Sequence, residues 1–276
     1  MFLLGYNTNG FAHHRLEDAL TILAELGYQS VALTLDLHAL DPYDRATPGQ
    51  LITIRAMLKQ FGMRSVIETG ARFLLNPRRK HQPTLLSATE NARQQRLDFL
   101  CRAVDVAAAL ESDAVSFWAG TPLDDPGNDV LLDRLVAGCR QLAQHAERQG
   151  VTLAFEPEPG MFIDTMERFA ELEERVAHPL FGLTIDLGHL HCQGEEIVPN
   201  LERWAQRLRN VHIEDMRRGV HDHLMFGQGE MDFGPILGTL NRVGYQGGVH
   251  VELSRQSHDA VETARQALHF LRSALA

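Results

Sequence analysis

Cysteine, long apolar runs and positive charge are all scarce in this sequence. Its 276 residues include only three cysteines, and no two of them form a CxxC pair. A disulfide framework and a zinc knuckle are therefore excluded, and we expect a reduced, cytoplasmic protein. No apolar run reaches the roughly 18 residues of a membrane-spanning helix, and the apolar residues 1–6 are too few for a signal peptide. We therefore expect no membrane association.

The charge balance also narrows the range of partners. Asp and Glu number 36 against 26 Lys and Arg, which gives a formal net charge of −10 at pH 7. Binding to nucleic acid requires a basic face that neutralises phosphates. A nucleic acid is therefore not an expected partner.

Short apolar runs alternate with longer amphipathic runs along the whole chain, as in a sheet of buried parallel strands. Eight such units predict one domain, residues 1–276, folded as a (β/α)₈ TIM barrel. A doubly wound open sheet is the alternative, but the first strand does not lead into GxGxxG. The expected strands cover residues 2–6, 30–35, 64–68, 113–118, 151–156, 180–186, 210–214 and 248–253, and the expected helices cover residues 16–27, 48–61, 84–110, 128–149, 165–176, 195–208, 235–243 and 257–275.

Carboxylate and imidazole side chains mark the ends of the last four expected strands, where a (β/α)₈ barrel carries its chemistry. Three carboxylates and an imidazole that converge there would repel one another without a cation. An oxygen-rich set with one histidine suits Mn²⁺, Mg²⁺ or Co²⁺, with Zn²⁺ a further candidate. A set of exposed charges at loop edges is the alternative. The fifth and sixth strands end in Glu156 and Asp186, the seventh holds His212, Glu214 and Asp215, and the eighth holds His250 and Glu252.

These residues, with the Asp-x-x-His step at residues 186–189, resemble the xylose-isomerase-like barrel superfamily, which includes the D-tagatose 3-epimerase group. That scaffold hosts sugar isomerases and epimerases, dehydratases and a nuclease. The resemblance implies one divalent metal ion at the strand ends. The implied ligands are Glu156, Asp186, His212 and Glu252.

The resemblance also implies residues that bind the substrate. His189 is expected to contact substrate oxygens, and an arginine follows the histidine of the seventh strand, with Arg218 the better match and Arg217 its neighbour. Endonuclease IV has a pair of metal ligands where this chain has His221 and His223, but the first of that pair is an aspartate in the nuclease. The two histidines could therefore hold a second metal, bind substrate or form a surface pair.

Four further side chains near the strand ends are candidates for substrate binding. Asn7 and Glu68 could bind sugar hydroxyls or only neighbouring loops, and Trp118 could form a flat wall or belong to the core. Glu158, between two prolines, could orient His189 or a substrate hydroxyl. The long irregular stretch at residues 69–83 could act as a lid or be a solvated basic loop.

The implied reaction moves a proton beside a ketone of a small polyhydroxy substrate. Glu156 and Glu252 are expected to remove and return the proton, through an enediolate that the metal stabilises. Return to the same carbon gives epimerisation, return to its neighbour gives isomerisation, and loss of a β-hydroxyl gives dehydration, as with inososes or 3-dehydroshikimate. A non-catalytic metal-binding barrel is the alternative from another class. The oligomeric state stays open, with a homodimer as one candidate.

Overall fold

A computed structural model gives the fold of the chain and describes residues 1–275. Within that range, eight parallel strands close into a barrel, which confirms the predicted fold class. The barrel strands are β1 (Leu3–Asn7), β2 (Ser30–Thr34), β3 (Arg64–Glu68), β4 (Val115–Phe117), β5 (Leu153–Phe155), β6 (Phe181–Asp186), β7 (Leu208–Ile213) and β10 (Gly248–Val251), and a separate hairpin consists of β8 (Asp215–Arg217) and β9 (Val220–Leu224).

The barrel follows the chain order and closes between its first and last strands. Around the ring the order is β1-β10-β7-β6-β5-β4-β3-β2, with every neighbouring pair parallel. Every residue of β2 and β6 is buried, as expected for strands covered on both faces. All carboxyl ends therefore open on the same side of the barrel, which we call the mouth.

The helices pack around this barrel and largely follow the apolar periodicity of the sequence. Gly27, Gly62 and Gly150 end three of the helices, each as a left-handed C-cap. The helices are α1 (Leu16–Leu26), α2 (Thr47–Phe61), α3 (Glu90–Leu110), α4 (Asn128–Gln149), α5 (Met166–Val176), α6 (Leu187–Gln193), α7 (Ile197–Trp204), α8 (Phe233–Arg242) and α9 (Ala260–Ala274), with 3₁₀ turns at Thr8–Phe11 and Ser254–Asp259.

Two helix predictions were too long. The helix expected from residue 84 begins at Glu90, because the Thr89 side chain caps it by accepting from the Ala92 N–H, and residues 84–89 remain in the loop. The helix expected over residues 195–208 spans only Ile197–Trp204. No helix within residues 1–275 is long and apolar enough to cross a membrane.

Candidate metal centre and active site

Four side chains from four strands converge at the mouth of the barrel. Glu156 follows β5, Asp186 ends β6, His212 lies in β7 and Glu252 follows β10. Asp186 and His212 are register partners across β6 and β7. One ligand atom from each of the four lies within 4.8 Å of the others. His212 Nδ1 is 3.0 Å from both Glu156 Oε1 and Glu252 Oε2.

The environment of Asp186 tests whether these residues suit a cation. Its Oδ1 accepts from the His189 N–H at 2.9 Å and so caps α6. Its Oδ2 is buried and has no hydrogen-bond partner among residues 1–275. A buried oxygen without a partner is costly, and a bound cation would offset that cost. Together with the oxygen-rich donor set, this shows that the residues fit a divalent ion.

The charges of the centre are strongly coupled. Burial alone would lower the pKa of His212, but Glu68, Glu156 and Glu252 raise it well above its usual value. Burial raises the pKa of Glu156 to about 7, although His212 opposes that shift. Burial also acts upward on Glu252, yet His212 and His223 hold its pKa well below the usual range. The carboxylates around His212 thus favour the protonated form of its imidazole.

A second cluster, the histidine trio, adjoins the metal centre. It consists of His189 on α6 and of His221 and His223 on β9. His221 Nε2 lies 3.0 Å from His189 Nε2 and 3.2 Å from His223 Nε2. Burial lowers the pKa of His189 to about 4, so this imidazole is neutral. Glu158 adjoins the trio, with Oε2 3.9 Å from His189 Nδ1. The trio could hold a second metal or bind substrate oxygens.

A polar cavity of about 380 Å³ opens above both clusters, within the size range of small-molecule sites. The structure brings most of the predicted site residues to its wall. Those that line it are Asn7, Glu68, Trp118, Glu156, Glu158, His189, His212, His221, His223 and Glu252, while Asp186 is buried beside it.

Three of these lining residues also hold neighbouring protein groups. Glu68 Oε1 is 2.8 Å from His212 Nε2, so this carboxylate orients a metal-ligand candidate. Asn7 Oδ1 accepts from the Asn9 N–H and from Thr34 Oγ1. The Trp118 ring is 8% exposed and packs against the His81 ring, with the centroids 4.9 Å apart. These contacts with other protein groups form only in the closed barrel, so the sequence alone could not predict them.

The two arginines expected to bind substrate do not line the cavity. Arg217 and Arg218 lie at the exposed turn of the hairpin, outside the cavity lining. The Arg217 guanidinium instead donates to the Gln228 carbonyl at 3.1 Å. The hairpin carries the histidines inward and leaves its turn in solvent, which separates the arginines from the site. The cavity is lined by Arg72 and Lys80 of the β3–α3 loop and by Arg255.

Sequence reasoning missed the site contacts of two other polar residues: Asn9, which it did not single out, and Glu214, which it named only as a residue of the seventh strand. Asn9 Nδ2 donates to Glu252 Oε1 at 2.8 Å and so orients this carboxylate. Glu214 is completely buried, and its Oε2 lies 3.7 Å from His223 Nδ1. Asn9 stands in the polar segment directly after β1, which could have drawn attention to it, whereas the contact of Glu214 with His223 depends on a hairpin that the sequence did not predict.

The fold and this site together define a (β/α)₈ barrel with a candidate divalent-metal centre at the carboxyl ends of its strands. Residues 20–274 match the family model described as xylose isomerase-like TIM barrel. The chain therefore belongs to that family, which confirms the resemblance found in the sequence.

Individual proteins are similar to this chain at low sequence identity. L-ribulose-5-phosphate 3-epimerase UlaE of Salmonella heidelberg (strain SL476) is 24% identical over 251 residues, covering 89% of this chain and 85% of that protein. The structure of D-allulose 3-epimerase from Methylomonas sp. in complex with D-allulose superposes with a TM-score of 0.79 at 19% identity, covering 99% and 97% of the two chains. The structure of 3-keto-D-glucoside 4-epimerase, YcjR, from E. coli gives a TM-score of 0.80 at 17% identity and covers 99% and 100%.

Proposed function

We propose that this protein is a divalent-metal-dependent isomerase or epimerase of a small sugar or sugar derivative. The observation that carries the proposal is the convergence of Glu156, Asp186, His212 and Glu252 beneath a polar cavity. The names of the relatives add support, because UlaE and the two superposed structures are all described as epimerases of sugars or sugar derivatives.

The four converging residues would hold the metal. When bound, a divalent ion would acidify the C–H beside a substrate carbonyl and stabilise the negative charge that develops on oxygen. Asp186 would contribute Oδ2, the oxygen without a protein partner among residues 1–275, because its Oδ1 is engaged with the His189 N–H.

Glu156 and Glu252 would exchange protons with the substrate carbon. They follow β5 and β10, which are not neighbours in the barrel, and both carboxylates border the cavity. One carboxylate takes the proton from the carbon and the other delivers a proton. Delivery to the opposite face of that carbon inverts it, whereas delivery to the adjacent carbon interconverts an aldose and a ketose.

The remaining polar side chains would bind and orient the substrate. His189, Glu158, His221 and His223 present donors and acceptors to the same cavity. Asn9 holds the Glu252 carboxylate through its Nδ2–H, which leaves the second oxygen of Glu252 toward His212. This arrangement fits a polyhydroxy substrate, whose successive hydroxyls need several polar partners.

The basic rim would receive an anionic group on that substrate if Arg72 and Arg255 exchanged their aspartate partners for it. Arg72 forms an ion pair with Asp36, at 3.2 Å, and Arg255 pairs with Asp222, while Lys80 adds a further positive charge at the cavity. A ketose phosphate would place its phosphate among these cations, and the relative UlaE is named for L-ribulose 5-phosphate. We therefore include phosphorylated ketoses beside the free sugars as candidate substrates.

Solvent exchange tests this function directly. The Mn²⁺-loaded protein should exchange a substrate C–H for deuterium in D₂O, read by NMR over a panel of ketoses, ketose phosphates, inososes and dehydroshikimate. Chelation with EDTA should stop the exchange. Loss of water from a substrate would assign a dehydratase instead. Tight Mn²⁺ binding without exchange on any member of the panel would contradict the proposed isomerase or epimerase activity.

A further inference from the structure

A continuous chain of hydrogen-bonded side chains runs through the barrel interior to His212. Ser30 Oγ of β2 is 2.8 Å from His250 Nε2 of β10, and His250 Nδ1 is 2.8 Å from Asn210 Oδ1 of β7. Asn210 Nδ2 donates to Glu68 Oε1 at 2.9 Å, and Glu68 Oε1 is 2.8 Å from His212 Nε2. Ser30, His250 and Asn210 are completely buried. We call Ser30, His250, Asn210 and Glu68 the core relay.

The chemistry of these groups fixes the direction of the three bonds that link His250, Asn210, Glu68 and His212. The Glu68 carboxylate accepts, so Asn210 must turn its amide N–H toward it. The Asn210 carbonyl oxygen then faces His250 and can only accept, which places a proton on His250 Nδ1. A reversed amide would set the Asn210 oxygen against the carboxylate. At the far end, Glu68 Oε1 accepts from the His212 Nε2–H as well. Asn210 Nδ2 lies 3.1 Å from His212 Nε2, because both nitrogens donate to the same carboxylate oxygen.

This directed chain determines which nitrogen His212 presents to the metal centre. With the proton held on Nε2, Nδ1 is the nitrogen that faces Glu156 and Glu252, 3.0 Å from each. We propose that the core relay consists of positioning residues that lock the tautomer and ring orientation of His212, so that Nδ1 is the metal-binding atom. The proposal rests on the metal centre of the proposed function.

The packing of the barrel supports a dedicated position for the His250 ring. A Cβ atom on Gly5 would lie 2.3 Å from His250 Cδ2, and one on Gly248 would lie 2.3 Å from His250 Cε1. Both neighbours must therefore lack a side chain for the imidazole to fit. Apolar side chains could fill this space without the cost of burying polar groups. The hydrogen-bonded polar side chains found here therefore point to a functional role, which is to position His212.

Replacement of the central amide tests the core relay. Asn210→Leu keeps a similar volume but breaks both of its links. In metal-free protein at a pH above the raised pKa of His212, where the ring is neutral, long-range ¹H–¹⁵N NMR of the imidazoles should show His212 losing its fixed Nε2–H tautomer. The Kd for Mn²⁺ should rise by about 10–100-fold, as for other residues that orient metal ligands. Thr184→Val is the matched control, because the Thr184 hydroxyl is buried in the same barrel but bonds to Ser116. It should leave both measurements unchanged.

A second variant covers the case in which Asn210→Leu does not fold. Glu68→Gln preserves shape but offers His212 an amide that can donate or accept, so the tautomers should mix. Glu174→Gln, at an exposed carboxylate of α5, should leave the His212 tautomer as it is. A single Nε2–H tautomer in Glu68→Gln, or unchanged resonances and Mn²⁺ affinity in folded Asn210→Leu, would overturn the proposal. The tautomer is read without metal, so a wild-type protein that fails to bind Mn²⁺ would count against the proposed function alone.

Discussion

Glu252 combines a metal-ligand position with an expected role in proton transfer. Glu252→Gln keeps the shape of the side chain and an oxygen toward the centre, but an amide cannot accept the proton. We expect deuterium exchange into substrate to fall by at least about 10²–10⁴-fold, with an unchanged circular dichroism spectrum. Glu174→Gln, on an exposed face of α5, is the control. Near-normal exchange in Glu252→Gln would assign the base to another residue.

His189 stands between the metal centre and the histidine trio. Its Nε2 is 3.5 Å from Asp186 Oδ2 and 3.0 Å from His221 Nε2. We predict that it serves the substrate, so His189→Ala should lower kcat/KM by about 10²-fold or more and change the Kd for Mn²⁺ much less. The exposed His258 provides the matched alanine control. If calorimetric titration instead shows His189→Ala losing one equivalent of bound metal, the trio is itself a metal site.

At the scale of elements, the short helix α6 connects the metal centre to the hairpin. A Cβ atom on Gly188 would lie only 1.9 Å from Glu214 Oε1 and 2.7 Å from Met216 Cε. Both atoms are the far ends of flexible side chains, but Glu214 and Met216 are completely buried, so the missing side chain at residue 188 lets helix α6 approach the end of β7 and the start of β8 without displacing them. This close approach sets His189 and the β9 histidines side by side.

Substitution at this contact should be costly. Gly188→Ala forces Glu214 and the hairpin outward, and we expect a loss of about 1–3 kcal/mol in the free energy of unfolding, as for overpacked cores. Gly238→Ala, at an exposed position of α8 with open space around its Cβ, should instead be neutral or stabilising by up to about 1 kcal/mol. Urea titration compares the two variants. Equal free energies of unfolding for the two variants would show that α6 can move away from Glu214 without loss of stability.

The elements of the barrel were predictable from the sequence, whereas those at its mouth were not. Buried parallel strands leave continuous apolar runs, so each of the eight was found within a few residues of its true bounds. The hairpin was not predicted because β8 is only three residues long and its turn carries Arg217 and Arg218. Helix α6 was not predicted because it is short and places polar residues at the site, so it lacks the apolar stripe of a core-facing helix. The spacing of apolar residues along the sequence indicates burial against the barrel. The hairpin and α6 pack mainly on each other, so this spacing did not reveal them.

At the scale of the whole molecule, the candidate ligand set could be predicted because a closed barrel brings all strand ends to one mouth. Glu156, Asp186, His212 and Glu252 stand at comparable depths on their strands, so chain order was enough to bring them together. The contacts of Glu68 with His212 and of Asn9 with Glu252 cross the mouth between β/α units. Such contacts depend on barrel registry and rotamers, which a single sequence does not encode in any local pattern.

A metal bound at this mouth would join four β/α units and should stabilise the entire fold. Mn²⁺ at about 100 times its Kd adds roughly 2.7 kcal/mol, which for a chain of this size raises Tm by about 5–10 °C. At one fixed Mn²⁺ concentration the rise should be larger at pH 8 than at pH 6, because the raised pKa values of His212 and Glu156 mean that the ion must displace protons at lower pH. Differential scanning calorimetry with Mn²⁺ and with EDTA measures both effects, and Asp186→Asn should abolish most of the rise. A Tm rise that Asp186→Asn leaves intact would show that Mn²⁺ binds elsewhere on the molecule.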